Sequence, residues 1–267
     1  MIDTIIVGGG PAGLSAAITL RQRGRSAAVV SGDMEQSGLY KAPEIGNYPG
    51  LPGISGPEIL RKMRGHAASA GAELITGRVY SVLPAEGSFY VGYGSEIVSA
   101  RAVIIATGSV QASLFPGEEE LLGRGVSYCA TCDGMLYRGK RVCVICLSPE
   151  ADGEADYLAS IGCDVVRIKT SDIRINGDER VASVTADGAE VLCDGAFILR
   201  RTVAPHLLAA GLETGDGHIK AGADGETNIP GLFAAGDCVG KPYQISKAAG
   251  QGQVAALSAD EYLGVRV

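Results

Sequence analysis

The stretch Thr4-Ile5-Ile6-Val7-Gly8-Gly9-Gly10-Pro11-Ala12-Gly13-Leu14 decides how this chain is read. A strand-forming run, Thr4 to Val7, passes straight into a glycine turn, and Leu14 to Arg23 then carries a helical pattern that stops at Gly24. Glycines at 8, 10 and 13 let the backbone turn sharply and approach a pyrophosphate, whose charge would sit on the positive end of the following helix. Ala27 to Val30 supplies a second strand, so the order is strand, glycine turn, helix, strand, as in a dinucleotide-binding unit. The acidic residue that commonly holds the ribose after the second strand is missing. Val29-Val30 runs into Ser31-Gly32-Asp33, leaving Ser31 or Asp33 as the candidate ribose contacts.

Working outward, Gly46-Asn47-Tyr48-Pro49-Gly50-Leu51-Pro52-Gly53 is an apolar, ordered loop, and Gly56 to Gly71 is helical. Val79 to Val98 holds several short alternating strands, and Ala102 to Ala106 is a continuous apolar strand that ends at Thr107-Gly108. From Gly139 a second β-α-β unit follows: strand Arg141 to Leu147, helix Glu150 to Ser160, strand Asp164 to Lys169. Short strands are expected around Ile173, Val181, Val191 and Phe197. Gly231 to Asp237 then leads into a last helix, Ser246 to Leu263. The fold class is α/β.

The bulk properties narrow the function. The 267 residues, 46% apolar and 20% charged, can bury a substantial core without disulfide staples. A formal net charge of −7 argues against nucleic acid or an anionic membrane as the main partner. No apolar run approaches the roughly 20 residues that span a bilayer, and Met1 leads directly into the first strand without a signal-like segment. A soluble, cytoplasmic protein is expected. Seven cysteines, an odd number, argue against a structural disulfide framework, so any disulfide is expected to be catalytic.

The chemistry is concentrated in Ser127-Tyr128-Cys129-Ala130-Thr131-Cys132-Asp133-Gly134. Cysteines separated by two residues can close a small disulfide ring, and at a helix N-terminus the dipole lowers the thiol pKa. Half of a zinc site and two unreactive core cysteines are the competing readings. Cys143 and Cys146 form a second such pair, but in a strand residues three apart point to opposite faces and cannot share one metal, so no metal site is expected. Cys163, Cys193 and Cys238 read as small buried hydrophobes.

Taken in order, Gly8 to Gly13, Asn47-Tyr48-Pro49-Gly50, Ala106-Thr107-Gly108, Cys129 to Gly134, Gly236-Asp237 and Gln244 resemble the thioredoxin reductase family of flavoproteins over nearly the whole chain. The resemblance implies FAD as cofactor, held at Gly8, Gly10, Pro11, Ala12 and Gly13. It further implies contacts from Ser31, Gly38, Asn47 and Ala106-Thr107-Gly108. Gly236-Asp237 would serve the ribityl and pyrophosphate region, and Tyr243, Gln244 and Ile245 the ring. It implies that Cys132 faces the flavin, Cys129 attacks a partner's disulfide and Asp133 handles protons. Two Rossmann-like domains of three-layer ββα type are expected. An FAD domain would be discontinuous over 1–110 and 216–267, with a redox-active domain of reduced NADPH-type fold over 111–215. A homodimer and a thioredoxin-like substrate are implied likewise.

One departure bears on the electron donor. A second glycine-rich turn and a basic cluster would recognise NADPH in the middle domain. Cys146-Leu147-Ser148-Pro149-Glu150-Ala151 has no glycine triad and carries an acidic residue, and Asp164 to Asp172 offers only Arg167 and Lys169. The chain therefore resembles the pyridine-nucleotide-independent, ferredoxin-dependent flavin thioredoxin reductases. An acidic ferredoxin would dock on a basic patch, with Arg61, Lys62 and Arg64, or Lys140 and Arg141, or Arg200 and Arg201 as candidates. A thiol oxidase using O2, a flavin-binding redox sensor, and an atypical NADPH-dependent reductase are the alternatives.

Overall fold

A computed structural model describes residues 1–109, 114–148, 151–200 and 204–265. The chain forms two compact units, one made of residues up to Gln111 and from Ala204 onward, the other of the residues between.

The first unit opens with β1 (Ile2–Val7), α1 (Pro11–Gln22) and β2 (Ala27–Ser31). α1 begins where the sequence favours it, with Pro11 in the first turn after Gly10, and ends at Arg23 before Gly24 in the left-handed region. α2 (Gly56–Ser69) starts on Ser55, whose hydroxyl accepts from the Glu58 backbone N–H at 3.3 Å. β3 (Glu73–Thr76), β4 (Val79–Ala85), β5 (Ser88–Tyr93) and the long β6 (Glu96–Ile105) follow. β3, β2, β1 and β6 lie side by side in parallel, and β5 and β4 continue the sheet antiparallel from the first half of β6. Residues 4 to 7 of β1 are all buried, without the alternation of a half-solvated strand, because a parallel sheet is covered on both faces.

In the second unit, β7 (Val126–Ser127) leads into α3 (Ala130–Asp133), followed by β8 (Arg141–Cys146), α4 (Ala151–Ser160) and β9 (Asp164–Ile168). β10 (Ile173–Asn176), β11 (Ser183–Ala186) and β12 (Ala189–Leu192) form an antiparallel sheet, and β13 (Gly195–Leu199) returns to the parallel sheet, whose order is β7, β13, β8, β9. Val142 and Val144 pack with Ala151, Ala155 and Leu158 of α4, while Cys143 and Ile145 pack with Ile173, Ile175 and Val184 of the antiparallel sheet. Both units thus contain an α/β layer arrangement built on parallel strands.

The chain rejoins the first unit through α5 (Pro205–Leu208), β14 (Thr214–Gly215), β15 (His218–Ile219), β16 (Leu232–Ala234) and α6 (Ile245–Val265). The return at Ala204 precedes the 215/216 boundary expected from sequence, because Leu208, Ala209 and Leu212 are buried and α5 packs on β4 and β15. β11 begins at Ser183, so Val181 precedes the strand instead of lying in it. Pro149 and Glu150, which frame the unusual turn, lie outside the described residues.

β16 pairs with the second half of β6 and so brings Gly236 beside the fingerprint turn. α6 packs along α1 so closely that a Cβ on Gly252 would lie 2.0 Å from the Ala12 carbonyl oxygen, whereas Gly250 faces open space. Gly252→Val is therefore expected to lower stability by about 2–3 kcal/mol through overpacking. Gly250→Ala should raise it by about 0.5–1 kcal/mol by stiffening the helix. Paired thermal melts of the two variants check this, and equal effects would contradict it.

Candidate functional site

The first unit carries a cradle of close backbone approaches. Gly8 has φ +115°, and a Cβ there would lie 2.3 Å from the Ala106 carbonyl oxygen; one on Gly13 would lie 1.9 Å from the Gly8 carbonyl oxygen. Both positions need glycine, because backbone meets backbone there. Gly10, by contrast, has nothing within 4 Å, which leaves its surroundings free for a ligand. Pro11 and Ala12 open α1, so the free N–H groups of its first turn point out of this cradle.

The other residues singled out from sequence in this unit fall into two groups. Around the cradle, Ala106 is buried at the end of β6, Thr107 follows it, and Gly108 takes a left-handed φ of +77°. The Thr107 hydroxyl and Asp237 Oδ1 are buried without a protein partner among the described residues. Such orphaned polar atoms cost free energy unless a ligand satisfies them, and a hydroxyl and a carboxylate suit the hydroxyls of a ribityl chain. Burial raises the Asp237 pKa above the usual carboxylate value, with Lys247 pulling it partly back.

Of the residues expected from sequence around the ring, Asn47 donates to Gln244 Oε1 at 2.8 Å, tying the loop before α2 to the entry of α6. Tyr243 OH lies 2.8 Å from His218 Nε2, and Ile245 is the first residue of α6. Ser31 ends β2, and Gly38 precedes a single helical turn over Leu39–Lys41.

Lys247 and Gln251 were missed by the sequence reading. Lys247 Nζ donates to the Gly236 carbonyl at 3.0 Å and also to that of Gly240, while the Gly236 N–H donates to Gln251 Oε1 at 3.1 Å. Together they hold the Gly236-Asp237 turn. A lysine in the first turn of a helix opposes the dipole preference, and that was a signal that it is held by something else.

The second unit carries the cysteine pair, which forms a disulfide with Cα atoms 5.4 Å apart. α3 is only four residues long, so the helix dipole expected to act on the thiols is small, and local groups act instead. The Cys132 N–H donates to Cys129 Sγ at 3.2 Å, and the Thr131 hydroxyl lies 3.4 Å from the same sulfur. Cys129 is 5% exposed, whereas Cys132 is exposed. Asp133 Oδ2 accepts from the Ser127 hydroxyl at 2.7 Å, and that hydroxyl accepts from the Cys129 N–H at 3.1 Å, so the carboxylate is linked to the cysteine backbone through one serine. Glu154 of α4 accepts from the Ala130 N–H at 3.3 Å.

Beside this pair lies a buried ionic cluster that the sequence did not reveal. Glu118 is 0% exposed and binds Arg200 through both carboxylate oxygens, one at 2.7 Å. It also accepts from the Tyr128 hydroxyl at 3.0 Å and the Phe115 N–H at 2.8 Å, and Arg200 lies 4.5 Å over the Phe115 ring. Burial, and then the Glu118 charge, push the Tyr128 phenol far above its ordinary pKa. Arg200 is thus committed to the interior and is no docking residue; Arg201 lies outside the described residues. Lys140 stacks on Tyr137, and Arg141 pairs with Asp164 at 2.6 Å.

Cys143 packs into the core cluster on one face of β8 and Cys146 against the cluster on the other, as the strand geometry requires. A hydrogen bond with Cys193, and then burial, hold the Cys143 thiol protonated. Burial raises Cys163 and takes Cys238 to about 11, consistent with unreactive core thiols. In α4 the first turn carries Asp152 and Glu154, and Asp152 binds Lys169 at 2.8 Å while Asp156 binds Arg167.

A glycine cradle with orphaned ribityl-type partners, together with a C-x-x-C disulfide, defines a flavin-dependent disulfide oxidoreductase. The family model "Pyridine nucleotide-disulphide oxidoreductase" matches residues 2–174 and 165–252, and the chain belongs to that family. Its cofactor is FAD, and the cradle residues fit that group. The chain is 32% identical to the thioredoxin reductase of Bacillus subtilis (strain 168), over 98% of this chain and 94% of that protein. Its structure matches a ferredoxin-flavin thioredoxin reductase from Clostridium acetobutylicum at TM-score 0.89 and 38% identity, over 99% of both chains. A thioredoxin reductase from Gloeobacter violaceus matches at TM-score 0.80 and 31% identity, over 99% and 95%. The chain is a thioredoxin reductase-like flavin disulfide reductase. Among the described residues, no helix is long and apolar enough to cross a membrane.

Two outcomes follow from these charges. Because the folded pKa of Asp237 is raised, the native apoprotein binds the extra proton, so its stability is full at low pH and declines as pH rises from the unfolded carboxylate value through the folded one. Asp237→Asn should flatten that decline in apoprotein melts while weakening FAD binding; an unchanged pH profile would contradict it. Arg200→Met strands the buried Glu118 charge and should cost about 3–5 kcal/mol. The double change Glu118→Leu/Arg200→Met should recover most of the loss in denaturant melts.

Proposed function

We propose that this chain passes electrons from a ferredoxin-class iron–sulfur donor, through FAD and the Cys129–Cys132 pair, to the disulfide of a thioredoxin-like protein. The observation that carries the choice of donor is the chemistry at the start of α4. A dinucleotide phosphate needs glycine N–H groups and a positive helix end. Here the turn after β8 lacks the glycines, the first turn of α4 is acidic, and the basic side chains Arg167 and Lys169 are engaged with Asp156 and Asp152. These surface pairs are each worth only up to about 1 kcal/mol, so the missing cradle and the carboxylate field weigh more than the competition for cations. The likeness to the Clostridium acetobutylicum ferredoxin-flavin enzyme supports the same donor.

When bound, FAD supplies the conversion of single-electron input into two-electron output. Two electrons and two protons open the Cys129–Cys132 bond to a dithiol. The Cys129 thiolate attacks one sulfur of the partner disulfide, forming a mixed disulfide and releasing the partner's other sulfur as a thiolate that takes up a proton. Cys132 then attacks Cys129 Sγ, which restores the ring and frees the reduced partner. Asp133, whose carboxylate accepts from the Ser127 hydroxyl, accepts and returns these protons. Cys129 is buried in the oxidised form, so its attack requires α3 to open once the ring is reduced. Met135 and Leu136, 55% and 69% exposed, follow the pair directly and offer the partner an apolar footing. A homodimeric cytoplasmic enzyme is part of the proposal, supported by the family resemblance.

Under anaerobic conditions, reduced ferredoxin should drive accumulation of thioredoxin dithiol, and NADPH at equal concentration should not. Peroxide release in air without thioredoxin turnover would point to a thiol oxidase instead. Cys132→Ser should lower turnover by about a thousandfold or more while keeping FAD, and should trap thioredoxin on Cys129. Full turnover in that variant would exclude the mechanism.

A further inference from the structure

Arg64 lies on α2 in the basic triplet Arg61, Lys62 and Arg64, yet it differs from its neighbours. Arg61 and Lys62 are exposed, and Lys62 pairs with Glu58 at 3.8 Å. Arg64 is half-buried and turned inward: a Cβ built on Gly9 would lie 3.3 Å from Arg64 Nη1 and 2.6 Å from Ser31 Oγ. The guanidinium and the hydroxyl thus flank the second glycine of the fingerprint turn. Among the described residues no carboxylate pairs with Arg64. A half-buried cation without a counter-ion costs free energy unless an anion or several acceptor oxygens are brought to it.

The position is where the fold ordinarily presents a carboxylate to the adenosine ribose, at the end of the second strand. Here Ser31 occupies that end. We propose that Arg64 is an FAD-binding residue specific to the adenosine half of the cofactor. Its guanidinium donates to the adenosine ribose oxygens and the adjoining phosphate, and Ser31 supplies the acceptor that the missing carboxylate would have provided. The sense of recognition is inverted, from an acceptor anion to a donor cation. The same cation offsets pyrophosphate charge inside a protein of net charge −7. This assignment removes Arg64 from the candidate ferredoxin-docking patch.

The test is reconstitution of apoprotein with FAD, followed by quenching of flavin fluorescence, for the parent, Arg64→Met and Arg64→Lys. The expected result is a rise in the FAD Kd of about tenfold or more for Arg64→Met, as for loss of a charge-assisted contact. Arg64→Lys should give a smaller rise, with the apoprotein melting temperature lowered in neither. A Kd within about twofold of the parent for Arg64→Met would overturn the assignment. So would a fall in apoprotein melting temperature accompanying the weaker binding, because Arg64 would then be serving the scaffold. Neither failure touches the cysteine chemistry, which is read separately by trapping thioredoxin on Cys129.

Discussion

The first unit depends on a place where backbone touches backbone. The turn leaving β1 passes so close to the end of β6, and to the first turn of α1, that no Cβ fits on Gly8 or Gly13. Those contacts hold the start of α1 beside Ala106-Thr107-Gly108, and β16 brings Gly236-Asp237 to the same point through its pairing with β6. The result is a concentration of unsatisfied donors and acceptors, namely the N–H groups that the first turn of α1 leaves free, the Thr107 hydroxyl and one oxygen of the Asp237 carboxylate. A protein tolerates such a concentration where a ligand completes it. The cradle is costly alone and favourable with FAD, so cofactor binding and stability of this unit are coupled.

The second unit is built on a similar scaffold. The parallel strands and α4 persist, but the ends of the elements carry side chains that satisfy one another. Asp152 and Asp156 hold Lys169 and Arg167, Glu154 caps α3, and Glu118 binds Arg200 in the interior. The buried pair is the one whose one-sided loss costs most, since a lone charge would be left shielded from water; its members are further fixed by Tyr128 and Phe115. Tyr128 directly precedes Cys129, so this internal ionic cluster braces the segment that carries the disulfide.

Much of the fold was legible because its signals are backbone requirements that sequence must obey. Glycine spacing at 8, 10 and 13, the unbroken apolar run of β1 and the opposite faces of Cys143 and Cys146 each follow from local geometry. Features set by distant partners were not legible. Arg200 read as a docking patch because Glu118 is 82 residues away. Lys247 was not singled out because the carbonyls it binds, those of Gly236 and Gly240, lie outside its own helix. The return of the chain at Ala204 depends on where Leu208 and Leu212 are buried, which no local pattern encodes. The brevity of α3 was not legible either: Gly134 keeps helical dihedrals but passes into a 3-10 stretch, Gly134–Tyr137, packed so closely that a Cβ on Gly134 would lie 2.8 Å from the Leu158 side chain.

The proposed function is that FAD and the cysteine pair form one electron path whose entry is not a nicotinamide. Its most direct test is the flavin absorbance of the oxidised holoprotein, recorded anaerobically by stopped flow against reduced ferredoxin and, separately, against NADPH. Rapid bleaching with ferredoxin, and an unchanged band with a large excess of NADPH, is the predicted result. Prompt bleaching by NADPH would contradict it.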